Sequence, residues 1–379
     1  MSFSNLGLSK SLLKEIESQN YTTPTPIQSQ AIPALLDRKD VLGIAKTGSG
    51  KTASFVLPIL MNLQGAETVS NRHINVLVLV PTRELAIQVN DVFQSFASVM
   101  PNPPKTLAVY GGVSLNSQMQ DLQNVNVLVA TPGRLLDLSD ENAVKLNAVE
   151  VLVLDEADKM LNLGFKAEME EIYGLLPKNR QNVLFSATLN KNISNIKNIV
   201  LNEPVVIKVK DENEGKELDQ IKQLAYLVDE NEKGPLLRHL IKSKKLKQVL
   251  VFASSLYKAD NIADKLRKNG IDAQAIHRKK SQAARTSALK IFKEGQLKVL
   301  VATDILSRGI DINELPCVIN YELPRSPKDY IHRIGRTGRA DAKGEAISLI
   351  CPDDEQHFKV IQKKMGKWVN LIDSKNLEY

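Results

Sequence analysis

Cysteine is nearly missing: the 379-residue chain has two, Cys317 and Cys351. Neither sits at metal-ligand spacing, and two thiols make no disulfide framework, so a disulfide-stapled secreted scaffold is excluded. An intracellular, cytoplasmic compartment is expected. Histidine is scarce too, with five residues scattered along the chain, which argues against a zinc centre. No apolar run is long enough to span a bilayer. Met1-Ser2-Phe3-Ser4-Asn5 lacks the basic and apolar regions of a secretion signal, so no membrane partner is expected. Low-complexity segments and a basic tail are lacking as well.

What is present is globular. Hydrophobic residues make up 43% and charged residues 25%, and the length suits two α/β domains with more than one core. The formal net charge is +7, unevenly placed. Residues 1–210 carry 19 basic and 19 acidic side chains, whereas residues 211–379 carry 31 and 24. A basic second half suits a polyanionic partner, though a charge of this size also serves solubility.

Residues 4–19 place Leu6, Leu8, Leu12, Leu13 and Ile16 at helical spacing. Thr23-Pro24-Thr25-Pro26 interrupts, and a helix resumes from Ile27 to Leu36. Short apolar runs then recur at Val41–Ala45, Val76–Val80, Thr106–Tyr110, Val127–Ala130, Val149–Leu154, Val183–Phe185 and Val205–Val209. Amphipathic stretches such as Arg83–Phe96 and Gly164–Leu175 separate them. Strands buried on both faces that alternate with helices predict a parallel sheet. The polar run 211–217 reads as a linker. The rhythm then restarts with Ile221–Val228, Gln248–Phe252, Asp272–Ile276, Val299–Ala302, Cys317–Tyr321 and Gly344–Ile350, and ends on a helix, His357–Met365. This second half repeats the build of the first but has no phosphate loop of its own.

That loop is Ala45-Lys46-Thr47-Gly48-Ser49-Gly50-Lys51-Thr52. Glycines let successive backbone N–H groups converge on one anion, and the start of the following helix favours negative charge. Lys51 is placed to reach the β- and γ-phosphates, with the Thr52 hydroxyl as a Mg²⁺ ligand. A second apolar strand runs into Asp155-Glu156-Ala157-Asp158. Adjacent carboxylates at the carboxyl end of a strand suit a Mg²⁺–phosphate site. Asp155 is expected to hold the metal through water, and Glu156 to orient or deprotonate the attacking water.

These two motifs resemble motifs I and II of the DEAD-box RNA helicases, and further motifs follow in order along nearly the whole chain. Thr23-Pro24-Thr25-Pro26-Ile27-Gln28 resembles the Q motif. The resemblance implies that Gln28 reads the adenine edge, that Tyr21 stacks on the base, and that Phe3 is the upstream aromatic. An amide carries both a donor and an acceptor, which suits adenine. The usual Gly-Phe pair is Asn20-Tyr21 here. By the same resemblance Thr47, Gly48, Ser49, Gly50, Lys51 and Thr52 hold ATP. Pro81, Thr82 and Arg83 (motif Ia), Gly112 of the glycine doublet, and Thr131, Pro132, Gly133 and Arg134 (motif Ib) hold an RNA backbone. Hydroxyls, N–H groups and guanidiniums suit phosphates and 2′-hydroxyls, and without an exposed aromatic cluster the readout is by shape. Ser186 and Thr188 resemble motif III, which with Asp158 and His332 couples the carboxylates to RNA.

In the second half, Val251–Ser255 resembles motif IV, Gln282-Ala283-Ala284-Arg285 the QxxR motif, 302–311 motif V and 332–339 motif VI. The resemblance assigns Arg285 and Thr303 to RNA, Gly309 and Asp311 to the nucleotide, and Arg336 and Arg339 to the γ-phosphate as catalytic arginines. Three arginines within seven residues, broken by glycines, suit a phosphate clamp better than a solvated face. His277-Arg278 departs from the family's His-Gly.

The implied fold is α/β, two tandem RecA-like parallel-sheet domains joined by a short flexible linker: an ATP-binding domain over 1–210, the linker 211–217, and a helicase C-terminal domain over 218–379. The implied activity is ATP-dependent RNA unwinding with ATP and Mg²⁺ as cofactors. An ATP-locked RNA clamp and a DNA translocase of the same superfamily are the alternatives. The 344–349 stretch resembles the bacterial RhlE-like subgroup, for which ribosome assembly and RNA turnover are the implied settings.

Overall fold

The computed structural model describes residues 2–46, 48–64, 72–189, 191–209, 221–304, 315–338 and 344–377. The expected linker and the site candidates Thr47, Gly309, Asp311 and Arg339 lie outside these residues. The chain divides into two compact units, Met1–Asp211 and Glu212–Tyr379.

The first unit has one parallel sheet of seven strands: β1 (Val41–Ile44), β2 (Val76–Leu79), β3 (Thr106–Val109), β4 (Val127–Ala130), β5 (Val151–Leu154), β6 (Gln181–Ser186) and β7 (Val205–Lys208). Their spatial order is β3-β4-β2-β5-β6-β1-β7. The second unit has β8 (Ile221–Leu227), β9 (Val249–Phe252), β10 (Ala273–Ile276), β11 (Val299–Ala302), β12 (Cys317–Asn320), β13 (Gly344–Ile350) and β14 (Leu371–Asp373), in the order β10-β11-β9-β12-β13-β8-β14. Counted from its own first strand, each sheet has the same order. Both are RecA-like, and every described pairing is parallel.

Strand composition explains the layering. Tetrapeptides of the form Val-Leu-Val-Leu and Val-Leu-Val-Ala recur in β2, β4, β5 and β11, and β9 is Val-Leu-Val-Phe. Successive strand side chains point to opposite faces. In the first unit Val76, Val78, Val127, Val129, Val151 and Val153 therefore join one core with Phe55, Phe93, Phe96 and Phe185. Leu77, Leu79, Leu128, Leu152 and Leu154 join a second core with Met160, Met169 and Ile172. The second unit repeats this: Val249, Val251, Val299 and Val301 lie in one layer, and Leu250, Phe252 and Leu300 in the other. Such strands need helices on both sides, and the crossover helices supply them.

Most observed strands start or stop a residue or two inside the expected runs, while β6 exceeds its apolar run at both ends. The expected helical stretch 164–175 begins later. Gly164 has φ +93° and separates a short helix, Ala157–Asn162, from the helix Lys166–Leu175. Gly43 sits in β1 because nothing larger fits: a Cβ there would lie 2.3 Å from the Phe185 ring. That ring packs 5.8 Å from Phe55, whose helix, Lys51–Leu63, follows the phosphate loop. We expect Gly43→Ala to destabilise the first unit by about 1–3 kcal/mol through overpacking. Adding Phe185→Leu should restore part of the loss, read as a positive coupling in thermal unfolding of the four proteins of the cycle.

Candidate active site

In a parallel sheet every strand points the same way, so the residues that follow the strands collect along one edge. In the first unit this edge carries Ala45 after β1, Pro81-Thr82 after β2, Tyr110 to Gly112 after β3, Thr131 after β4, Asp155 after β5 and the Ser186–Thr188 segment at the end of β6. The sheet order separates them. The nucleic-acid candidates follow β3, β4 and β2, the nucleotide candidates follow β1, and the carboxylates of β5 and hydroxyls of β6 lie between.

The phosphate loop turns on Gly48 and Gly50, with φ +84° and +89°. Gly50 leads directly into the helix Lys51–Leu63. The Q-motif segment grips this loop from behind. Thr25 Oγ1 donates to the Ser49 carbonyl (2.8 Å), and Gln28 Nε2 donates to the Gly50 carbonyl (3.2 Å). The other end of the amide, Gln28 Oε1, accepts from Thr25 N (2.8 Å), which closes a capping box on the helix Pro26–Leu36. Gln28 is therefore 1% exposed, with both amide ends engaged inside the protein. The motif pattern leads one to expect an amide open to a base; the structure has it clamped on the loop, because a Thr three residues earlier completes the cap. Phe3 is buried, and Tyr21 is half-buried with ring-edge contacts to Phe3 (6.4 Å) and Phe96 (6.2 Å).

Lys51 is buried and donates from Nζ to the Ala45 carbonyl (2.8 Å). Asp155, 2% exposed, has its carboxyl pushed up to about 6: burial dominates, Lys51 opposes it, and Glu156 adds to it. Its Oδ1 is buried without a hydrogen-bond partner. Glu156 adopts a left-handed conformation (φ 55°, ψ 44°) at the start of the helix Ala157–Asn162. For a residue with a Cβ this costs roughly 1–2 kcal/mol. Its carboxylate pairs with Lys159 (2.6 Å), and both side chains are almost fully buried. Asp158 Oδ2 accepts from Thr188 Oγ1 (3.0 Å). Ser186 Oγ in turn donates to the Thr188 carbonyl (2.8 Å) and accepts from Thr188 N (3.2 Å). The carboxylate loop and the β6 end are thus joined by side-chain hydrogen bonds.

Among the nucleic-acid candidates, Thr82 caps the helix Arg83–Ala97 by accepting from Leu85 N (3.2 Å). The Arg83 guanidinium lies over Gly112, where a Cβ would fall 2.0 Å from it, so this position needs glycine as well as its φ of +82°. Thr131 and Pro132 start the helix Pro132–Asp140, and Gly133 faces open space. Arg134 points inward. Its guanidinium donates to Gln118 Oε1 (2.7 Å), the Val113 carbonyl (3.1 Å) and Asp137 Oδ2 (3.2 Å). It acts as a strut for the 113–118 segment, and only its tertiary partners reveal this.

The second unit repeats the arrangement with Ala253 after β9, His277 after β10, and Thr303 and Asp304 after β11. Arg285 and Thr303 are buried near this edge, and Arg336 is 6% exposed. His332 is exposed on the helix Pro327–Ile334.

The DEAD/DEAH box helicase family model matches residues 25–196, and the helicase conserved C-terminal domain model matches 232–341. The chain is 39% identical over 373 residues to the DEAD-box ATP-dependent RNA helicase RhpA of Helicobacter pylori, covering 98% of this chain and 74% of that one. To CshA of Bacillus cereus, described in the same words, it is 38% identical over 379 residues, covering 99% and 70%. The chain belongs to the DEAD-box helicase family. Among solved structures, S. cerevisiae Dbp5 bound to RNA and ADP BeF3 superposes on this helicase with a TM-score of 0.83 at 31% identity, covering 99% of this chain and 96% of that one.

One of the three arginines that suit a phosphate clamp by sequence turns inward and serves the fold. Arg333 is 1% exposed, and its guanidinium stacks 4.8 Å from the Phe252 ring. It donates to Asp304 Oδ1 (2.6 Å), Asn320 Oδ1 (3.0 Å) and the Glu322 carbonyl (2.7 Å). One side chain thereby ties together segments resembling motifs IV, V and VI. The signal was its helical spacing: Arg333 shares a face with Tyr330 and Ile334, both buried. We expect Arg333→Ala to cost the second unit about 3–5 kcal/mol, as for removal of one partner from a buried pair. Arg333→Lys should recover little, because a single ammonium cannot span the three acceptors. Thermal unfolding of both variants checks this.

Proposed function

We propose that this chain is an RNA-stimulated ATPase that separates short RNA duplexes and remodels RNA–protein complexes, with residues of both units required for turnover. The observation that carries the proposal is the partition of the first sheet's carboxyl edge, with phosphate loop at one side, backbone-binding groups at the other and carboxylates between. The first unit is the ATP-binding domain in this scheme, and the second is the helicase C-terminal domain.

ATP would sit on the N–H groups of residues 48–52, with Lys51 leaving the Ala45 carbonyl for the β- and γ-phosphates. Tyr21 gives the base a ring face, supported behind by Phe3. Gln28 has a second Nε2–H and a second Oε1 lone pair beyond its bonds to Gly50 and Thr25, so it would read adenine while gripping the loop, which links base recognition to the loop. Thr52 and the unpartnered Oδ1 of Asp155 fit Mg²⁺. No group of three or more candidate metal-binding side chains occurs among the described residues. A hard cation held by one or two protein ligands plus phosphates and water matches that donor set. When bound, Mg²⁺ neutralises phosphate charge and holds Asp155 ionised.

Glu156 orients the attacking water and accepts its proton, its carboxylate held in place by Lys159. The bond from Thr188 to Asp158 reports the state of this loop to the β6 end. Arg336 and Arg339 supply positive charge to the γ-phosphate as it leaves. RNA contacts fall to Thr82, Arg83, Thr131 and Gly133 in the first unit and to Thr303 and Arg285 in the second, while Arg134 keeps their loop in place. Two free thiols, Cys317 buried and Cys351 half-buried, favour a cytoplasmic site of action.

We expect ATP hydrolysis to rise with single-stranded RNA and not with DNA of the same sequence, and a short RNA duplex to be displaced when ATP is added. Stimulation by DNA would favour a DNA translocase, and ATPase without displacement an RNA clamp. Arg336→Ala should lower RNA-stimulated turnover by about 10³-fold or more, with nucleotide binding retained in equilibrium dialysis. Glu156→Gln should hold ATP and RNA together in a long-lived complex on native gels.

A further inference from the structure

The turn that follows β10 departs from the family pattern, and the structure gives that departure a place. The register aligns Ile276 with Ala302 and Ala302 with Phe252. The next residues, His277, Thr303 and Ala253, therefore stand in a row along the carboxyl edge, about 4.8 Å from strand to strand. β10 is the outermost strand on this side, so the turn 277–280 continues the edge beyond Thr303. Lys280 N donates to the His277 carbonyl (3.0 Å) and closes the turn.

Asp260, on the helix Leu256–Lys268, pins both ends of the turn. Its Oδ2 lies 2.8 Å from His277 Nε2, and its Oδ1 lies 2.8 Å from Lys280 Nζ. Burial pulls this carboxyl up, but the bonds from Lys280 and His277 outweigh it and hold it below the usual range. Arg278 and Lys279 between these anchors are exposed, and neither forms an ion pair among the described residues. The helix Gln282–Lys293 begins immediately afterwards, capped by Ser281 and with no acidic residue in its first turn. A fixed turn with two uncompensated cations beside a helix N-terminus suits an anion.

We propose that Arg278 and Lys279 bind two further phosphates of the RNA strand, extending its track outward past Thr303 and Arg285 to the edge of the second sheet. This rests on the RNA-binding function proposed above. The repeat of a nucleic-acid backbone suits two cations held side by side, and the contact carries no base specificity.

The test is the salt dependence of binding. Fluorescence anisotropy of the full chain with labelled oligouridylate, Mg²⁺ and a non-hydrolysable ATP analogue gives the slope of log K against log salt. Single strands lose about 0.7 of slope per phosphate contact, so Arg278→Gly with Lys279→Gln should flatten it by about 1.4. The wild-type advantage should then shrink about seven-fold between roughly 50 and 200 mM salt. An unchanged slope, with wild-type protein still binding RNA, overturns this inference and leaves the helicase function standing. A control, Lys363→Gln with Lys364→Gln on the helix Glu355–Met365, removes two exposed charges elsewhere in the same unit. Equal flattening in the control assigns the effect to bulk charge and overturns the inference. Wild-type protein that retains no RNA overturns the function and this inference together.

Discussion

Parallel pairing is the constraint from which the rest of this molecule follows. A strand paired in parallel delivers its last residue to the same edge as its neighbours, and each return must cross a face of the sheet. The crossing helices bury both faces, which is why the inner strands β2, β4, β5, β9 and β11 are Val-Leu repeats with no polar side. Chemistry is left only the edge. Residues far apart in sequence, Ala45, Thr82, Thr131, Asp155 and Ser186, become neighbours there through strand order alone.

At that edge the site is held under electrostatic and conformational strain. Asp155 is buried with one oxygen unmet, and Glu156 has a backbone conformation that residues with a Cβ seldom adopt. Both costs are tolerable because the surroundings over-determine the loop: Lys159 holds Glu156, and Thr188 holds Asp158. A cation and a triphosphate would relieve the first cost directly. Such a site is stiff before its substrate arrives, so less ordering remains to be done on binding.

The sheets, the loop and the carboxylate box were legible because each rests on local chemistry: short continuous apolar runs, glycine spacing, adjacent acids. The family motifs ordered them along the chain. What stayed hidden depends on partners distant in sequence. Gln28 engages Gly50, Arg134 engages Gln118, and Arg333 engages Asp304. A motif names such a residue without saying whether it faces a ligand or the protein. Arg134 and Arg333 are both motif arginines, and in both the donors turn inward. Gly164 was misplaced for a local reason, since a glycine beside an apolar run reads equally as a helix start or a break.

The matching strand orders of the two sheets bear on ancestry. If the units are duplicates, β8 is the counterpart of β1, and Lys233, first in the helix Lys233–Ser243, is the counterpart of Lys51, first in Lys51–Leu63. Lys233 is 1% exposed, and its ammonium lies 3.0 Å from Glu230 Oε2. In the first copy the ammonium meets a backbone carbonyl, and in the second the equivalent seat is taken by a carboxylate of the chain itself. On that pairing a nucleotide would find its seat at Lys51 and none at Lys233, where Glu230 already answers the ammonium.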